Sequence, residues 1–516
     1  MNGMIERVVV VGGGSAGWLA ASLLAAESGL QVTVVESPGV PPIGVGEGTW
    51  PSMRDTLQRI GVLEADFFRE CDAAFKQGSR FDGWTTGLPA DHYYHPFTAP
   101  QGYAEANMAK RWMDLYPDAP FADVVCGQPA VCNGGLAPKQ PQTPEYAGVL
   151  NYGYHLDAGK FGMFLQRHAT HKLGVRHLLA HVDEIVVRQD GPFAGDIAAL
   201  RTAEHGLIEG DLFVDCTGLR SLLLGQHFGV PLVSQRDVLF NDRALAVQVR
   251  YPTPDAPISS HTTSTAQRAG WIWDIGLPER RGIGHVYSSA HTTDEEAERG
   301  LRAYLAATGS GAELAPPRKI TFDPGYRERF WHRNCVAIGL SAGFIEPLEA
   351  SALALVELSA GYLVDDMPAT RAQMDIVAAR FNETFLYRWE GLIDFLKLHY
   401  VLSRREDSPY WNDHRRAETI PQRLRDQLAL WRTRAPTFRD FSRLEELFPA
   451  ASYQFVLYGM GFRSTLPDRP TDLPQVADRH IKEVQRLSAR MVSLLPSNRT
   501  VLDHIRTHGI PRTPAA

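Results

Sequence analysis

The chain has 516 residues, 44% hydrophobic, 22% charged and 10% aromatic, a globular profile with enough apolar material for two or three sub-domains. Its 52 basic and 59 acidic residues give a net charge of -7, so there is no overall basic field, and neither nucleic acid nor a membrane surface is an expected partner. Five scattered cysteines show neither a disulfide framework nor metal-ligand spacing, which excludes a metal site from the expectations and suits a reducing cytoplasm.

The first residues run straight into an apolar strand, without the apolar stretch and cleavage site of a secretory leader, so a cytoplasmic protein is expected. Arg7–Val11 is a continuous run of valines after one arginine, the pattern of a strand buried on both faces of a parallel sheet. Gly12–Gly17 interrupts it, and the Ala- and Leu-rich Trp18–Glu27 predicts a helix that Gly29 closes. Gln31–Val35 is the next strand, ending at Glu36. Residues 85–150, rich in Pro, Gly and aromatics, predict long loops with short helices. Val182–Val187 and Asp211–Asp215 are expected in the same core sheet, and residues 237–290 alternate like antiparallel strands. Asn334–Gly339 predicts another buried strand, and from about Ala350 the chain is mostly helical.

The turn between the first strand and helix carries chemistry. Gly12 permits a tight turn, Gly14 lets backbone N–H groups approach a pyrophosphate, and Gly17 lets the helix pack on the strand with its positive end toward the phosphates. Ser15 and Ala16 complete the turn. Glu36 follows Gly17 by nineteen residues, the place of a carboxylate that accepts hydrogen bonds from a ribose. A dinucleotide site is therefore expected. FAD rather than NAD is indicated by CVAIGLSAGFIEPLEA (335–350), a strand, glycine turn and helix that resembles the second flavin contact of glutathione-reductase-type proteins, here through Gly339, Leu340 and Ile345.

Further segments, in order along the chain, resemble the flavin-dependent halogenases related to tryptophan halogenases. IGVGEGTWP (Ile43–Pro51) is similar to that family's flavin strap, with Val45, Gly46 and Glu47 at the cofactor. Trp271, Trp273 and Ile275 match its W-x-W-x-I signature, although Gly276 stands where proline is usual. YHPF (Tyr94–Phe97) and HYVLSRREDSPYW (His399–Trp411) also resemble family segments.

The resemblance implies that reduced FAD and oxygen oxidise halide to hypohalous acid, which travels to a lysine at a separate aromatic site. That lysine falls at Lys76, in a stretch, AAFKQGSRFDGW, expected to be helical. It can hold hypohalous acid by an ammonium hydrogen bond, or as a desolvated amine form a haloamine; the residues do not choose between the two. Glu349 matches the family's carboxylate beside the reacting ring, with Ala350 where a serine is common. Ser351 and Ala352 match the halide site. His95 and Phe97, with Phe448, match substrate-stacking positions, and the two tryptophans shield the flavin.

The tyrosine- and glutamate-bearing lid that grips the amino-acid end of tryptophan is missing from RAPTFRDFSRLEELFPA (434–450), so indole-type or other electron-rich aromatics are expected rather than selective use of free tryptophan, with bromide the easier halide to oxidise. No second nucleotide fingerprint is found, so reduced FAD is expected from a separate NAD(P)H-dependent reductase, and a homodimer is an allowed assembly. The alternatives are an FAD-dependent aromatic monooxygenase or a non-catalytic flavin-binding protein.

The expected fold is α/β, α+β overall: a Rossmann-type FAD-binding domain of the glutathione-reductase/p-hydroxybenzoate-hydroxylase type with an added mostly helical substrate domain. The first is expected over 1–100 and 150–370, carrying the antiparallel sheet of about 237–290, and the second over 101–149 and 371–516.

Overall fold

The computed structural model describes residues 3–39, 46–443 and 445–512. The chain divides into two units, one of residues 1–72, 156–235 and 322–389, the other of residues 73–155, 236–321 and 390–516.

In the first unit, Arg7–Val11 lies inside a six-stranded sheet, between Gln31–Glu36 and Leu212–Asp215, both parallel to it. Arg176–Leu179 extends one side; Cys335–Ala337 and the antiparallel Trp331–His332 extend the other. Val8, Val9, Val10 and Val11 are all buried, as a strand covered on both faces requires. The Ser15–Glu27 helix packs against the Ala158–Lys172 and Ser351–Asp365 helices. Gly29, with φ +69°, turns the chain from the helix into the second strand. One expectation is corrected here. Leu212–Asp215 joins the core sheet, but Glu184–Val187 pairs antiparallel with Ile197–Thr202 in a separate three-stranded sheet. A four-residue apolar run shows strand character without showing its partner.

The second unit is built on a seven-stranded sheet ordered Arg318–Thr321, Arg243–Arg250, Arg280–Tyr287, Gly270–Gly276, Thr262–Gln267, Gly78–Asp82, His92–Pro96. Every pairing is antiparallel except that between Thr262–Gln267 and Gly78–Asp82. That parallel pairing joins the antiparallel strands to residues 78–96 within the second unit. The Asp294–Ala307 helix starts at a reciprocal Thr293–Glu296 capping box and buries Leu301 and Leu305 against Leu245, Val247 and Ile283 of the sheet. Short helices occupy Met108–Leu115, Phe121–Val125 and Gln128–Asn133, and longer ones Ala450–Gly459, Pro474–Leu494 and Asn498–His508. No helix among the described residues is long and apolar enough to cross a membrane.

Candidate active site

The glycine turn has the geometry its sequence calls for. At Gly12, φ is +118°, and a Cβ there would lie 2.2 Å from the Cys216 carbonyl oxygen. At Gly17 a Cβ would lie 1.9 Å from the Gly12 carbonyl oxygen, so helix and turn close on each other through backbone alone. Gly14 is different: it is exposed, and a Cβ on it would meet open space. The helix behind it starts without a side-chain cap and without an acidic residue in its first turn. Its leading N–H groups, at Ser15, Ala16 and Gly17, are thus not masked by a carboxylate. These residues fit the pyrophosphate of FAD. Glu36 lies over Gly13, with Oε2 2.9 Å from His177 Nε2 and Oε1 over the glycine.

The 335–350 segment reaches the same turn. Gly339 has φ +71°, and a Cβ on it would come within 2.8 Å of the Ala16 side chain. Ser341 Oγ, next to Leu340, donates to Asp215 Oδ1 at 3.1 Å and fixes this loop to the end of the core strand. Asp215 is fully buried and also accepts from Thr217 Oγ1 at 2.6 Å and from the Leu223 and Leu224 N–H groups. Ile345 is buried just beyond.

Of the strap residues, Val45 lies outside the described residues; Gly46 and Glu47 begin the described part. Loss of hydration lifts the Glu47 carboxyl to about 7, although part of its surface stays open. Trp50, at the end of this segment, donates its indole N–H to the Glu349 carbonyl oxygen at 2.8 Å. Glu349 itself is 4% exposed. Ala350 follows in the left-handed region, φ +55° and ψ +41°, and then the Ser351–Asp365 helix begins with no side-chain cap and no acid in its first turn. Its first N–H groups belong to Ser351, which is buried, and Ala352.

Lys76 and the aromatic residues all lie in the second unit. The expected helix around Lys76 is a correction: Ala74–Lys76 and Gly78–Asp82 are strands. Ala, Lys and Gln favour helices locally, but Ala74–Lys76 pairs with Gly153–His155, and Gly78, at φ +142°, lets the backbone of His95 and Pro96 approach where a Cβ would clash at 2.5 Å. Lys76 is 1% exposed, and its Nζ lies 5.3 Å from the Phe97 ring centroid. Phe97 is held by its N–H to the Gln77 carbonyl and by its own carbonyl, which accepts from Asn151 Nδ2 at 3.1 Å. The His95 ring lies 5.6 Å from Phe395 and 6.4 Å from Phe448, which stack on each other at 3.8 Å. Phe395 and His155 carry no sequence signal of their own, and Trp50 only that of the Ile43–Pro51 segment; strand pairing alone brings His155 near Lys76.

Trp271 and Trp273 project to one face of Gly270–Gly276, their rings 6.4 Å apart and edge to face. Trp273 covers Gly284 on the neighbouring strand, where a Cβ would lie 2.0 Å from the indole. Among the described residues no group of three or more His, Cys, Asp or Glu could hold a metal ion.

Comparison with known proteins agrees over nearly the whole chain. The family model described as tryptophan halogenase matches residues 7–476. A tryptophan 6-halogenase, SttH of Streptomyces toxytricini, is 33% identical over 95% of this chain and 97% of its own. The crystal structure of a tryptophan halogenase from Shewanella frigidimarina NCIMB 400 superposes with a TM-score of 0.94 at 48% identity, covering 99% of each chain. BrvH, a flavin-dependent halogenase from Brevundimonas sp. BAL3, superposes with a TM-score of 0.85 at 33% identity, covering 97% of this chain and 99% of that one. With FAD as the dinucleotide that the Gly12–Gly17 turn suits, the chain belongs to the tryptophan halogenase family and is a flavin-dependent halogenase.

Proposed function

We propose that this enzyme oxidises bromide or chloride to hypohalous acid with reduced FAD and oxygen, and uses that acid at Lys76 to halogenate an indole-class aromatic, tryptophan or a derivative of it. The relatives named as tryptophan halogenases support the substrate class. The observation that carries the use of Lys76 is its burial, 1% exposed, beside the Phe97 ring.

When bound and reduced, FAD supplies the electrons with which oxygen converts halide to hypohalous acid. Gly12, Gly14, Ser15, Ala16 and Gly17 hold its pyrophosphate, Glu36 its ribose, and Gly46, Glu47, Gly339, Leu340 and Ile345 its flavin end. The uncapped start of the Ser351–Asp365 helix suits a halide on the Ser351 and Ala352 N–H groups. Trp271 and Trp273 wall the flavin from the organic substrate, which limits direct oxygenation. At the second site the carbon–halogen bond forms as the halogen–oxygen bond breaks. The ring proton passes to the Glu349 carboxylate and from it to the leaving hydroxide, which departs as water. Lys76 polarises the acid either through an ammonium hydrogen bond or by carrying the halogen on nitrogen. A separate cytoplasmic NAD(P)H-dependent flavin reductase supplies reduced FAD.

The test is an incubation of enzyme, reduced FAD, oxygen, bromide and either indole or tryptophan, followed by mass spectrometry, with Lys76→Ala alongside. Brominated product is expected, with a loss of about a hundredfold or more in Lys76→Ala while reduced flavin is still consumed. Hydroxylated indole without brominated product would instead establish an aromatic monooxygenase. Full site-directed bromination by Lys76→Ala would remove the lysine from the mechanism.

A further inference from the structure

The strand pair that carries Lys76 brings a second titratable group to it. Ala74 pairs with His155, and Lys76 with Gly153, in one antiparallel ladder. Residues opposite one another, and those two positions along, share a face of such a ladder, so Lys76 and His155 are diagonal neighbours, with Cα atoms about 7–8 Å apart. Gly153, directly opposite Lys76, contributes no side chain, so nothing from the lysine's own partner stands between the two. His155 is fully buried and Lys76 is 1% exposed.

The imidazole is held from one end. His155 Nε2 lies 2.8 Å from Thr262 Oγ1, while Nδ1 is buried without a hydrogen-bond partner among the described residues. The imidazole also interacts with the Gly276 carbonyl, so one ring nitrogen carries hydrogen and the other a lone pair. Burial, the positive charge of Lys76 and His261, the residue before Thr262, all push the imidazole well below its ordinary range, with the Gly276 carbonyl acting in the opposite sense. Burial and then Arg80 drive His261 itself down to about 3, so it is neutral. Lys76 is thus the positive charge that acts directly on His155, and the imidazole beside it is a neutral base.

We propose that His155 is a positioning residue that acts through Lys76, the two holding one positive charge between them, with His155 taking the proton that Lys76 gives up when its nitrogen reacts with hypohalous acid. This rests on the assignment of Lys76 above, and it favours the route in which nitrogen carries the halogen. In that step the nitrogen–halogen bond forms and the halogen–oxygen bond breaks. One ammonium proton joins the leaving hydroxide to make water, and a second moves to the free nitrogen of the His155 imidazole, directly or through one water. A base beside Lys76 has no such use if the ammonium only donates a hydrogen bond.

The experiment measures brominated product per reduced FAD consumed, from pH 6 to pH 10 (roughly the interval from histidine to lysine titration), for the wild type, His155→Gln, Thr262→Val and Lys76→Ala. His155→Gln is expected to lose about a hundredfold in coupling at pH 7 and to recover as pH rises, because bulk solvent then removes the lysine proton. Thr262→Val, which removes the Nε2 partner, is expected to show the same slope with a smaller loss. A wild-type coupling and pH profile in His155→Gln would overturn the proposal. Should His155→Gln not fold, a wild-type profile in Thr262→Val would overturn it. Failure of the lysine assignment is read separately, as retained coupling in Lys76→Ala.

Discussion

Trp50 donates its indole N–H to the Glu349 carbonyl oxygen at 2.8 Å, tying the end of the strap to the turn that precedes the Ser351–Asp365 helix. Almost 300 residues of chain separate the two, so the bond fixes a long-range relationship that no local propensity sets. In Trp50→Phe the carbonyl loses this donor while most of the ring volume stays. The expected cost is about 1 kcal/mol of stability, read from the denaturant midpoint. Displacement of Glu349 by even a fraction of an ångström is expected to lower halogenation by up to about a hundredfold, more than it alters FAD affinity.

The glycines of the turn separate folding from cofactor binding. Gly17→Ala places a methyl group against the Gly12 carbonyl, a backbone atom that cannot move alone, and is expected to lose several kcal/mol and soluble yield. Gly14→Ala meets no protein atom, so its flavin-free melting curve should match the wild type within about 1 kcal/mol. FAD titration should nevertheless show at least a tenfold loss, because the methyl occupies the space assigned to the pyrophosphate. Equal FAD affinity in Gly14→Ala and wild type would put the pyrophosphate elsewhere.

Ala350 is a non-glycine residue at φ +55°, next to Glu349. The left-handed conformation costs an alanine about 1–2 kcal/mol, and glycine returns part of that through a freer unfolded chain. Ala350→Gly should therefore gain roughly 0.5–1 kcal/mol in equilibrium unfolding, and Ala350→Val should lose more than that. An Ala350→Gly protein less stable than the wild type would mean that the turn is held by something other than local strain.

A pH dependence is set by Glu357 on the Ser351–Asp365 helix. Burial pushes its carboxyl up to about 8, against the opposing hydrogen bonds from Thr56 Oγ1 at 2.6 Å and Ser52 Oγ at 3.3 Å. An unfolded chain titrates this group near the ordinary 4.5. Below 4.5 both states hold the proton. Between 4.5 and 8 only the folded state does, so its contribution to stability falls with rising pH and is gone above 8. Glu357→Gln should flatten that part of the curve of unfolding free energy against pH, with a difference of roughly several kcal/mol at most at the alkaline end. Parallel curves across this range would show that Glu357 is ionised in the folded protein.

The nucleotide-binding part of the fold was legible because its signals are local. A valine strand, a glycine turn, an alanine-rich helix and Glu36 lie within thirty residues, and each demands a backbone form that few alternatives satisfy. The Lys76 segment was harder, since Ala74–Lys76 has helix-forming residues and is a strand only because Gly153–His155 pairs with it. The same distance in sequence hid His155 as a neighbour of Lys76, and Glu184–Val187 showed its type but not its sheet. The alternation of Trp271 and Trp273 did place both indoles on one side of their strand.

Trp273 and Gly284 face each other across neighbouring strands, with the indole filling the volume that any side chain at 284 would need. The two positions therefore form one unit of inheritance. A larger residue at 284 is tolerated only with a smaller one at 273, so substitutions at the pair combine non-additively, and the route from tryptophan at 273 to any other filling passes through an overpacked or a hollow intermediate.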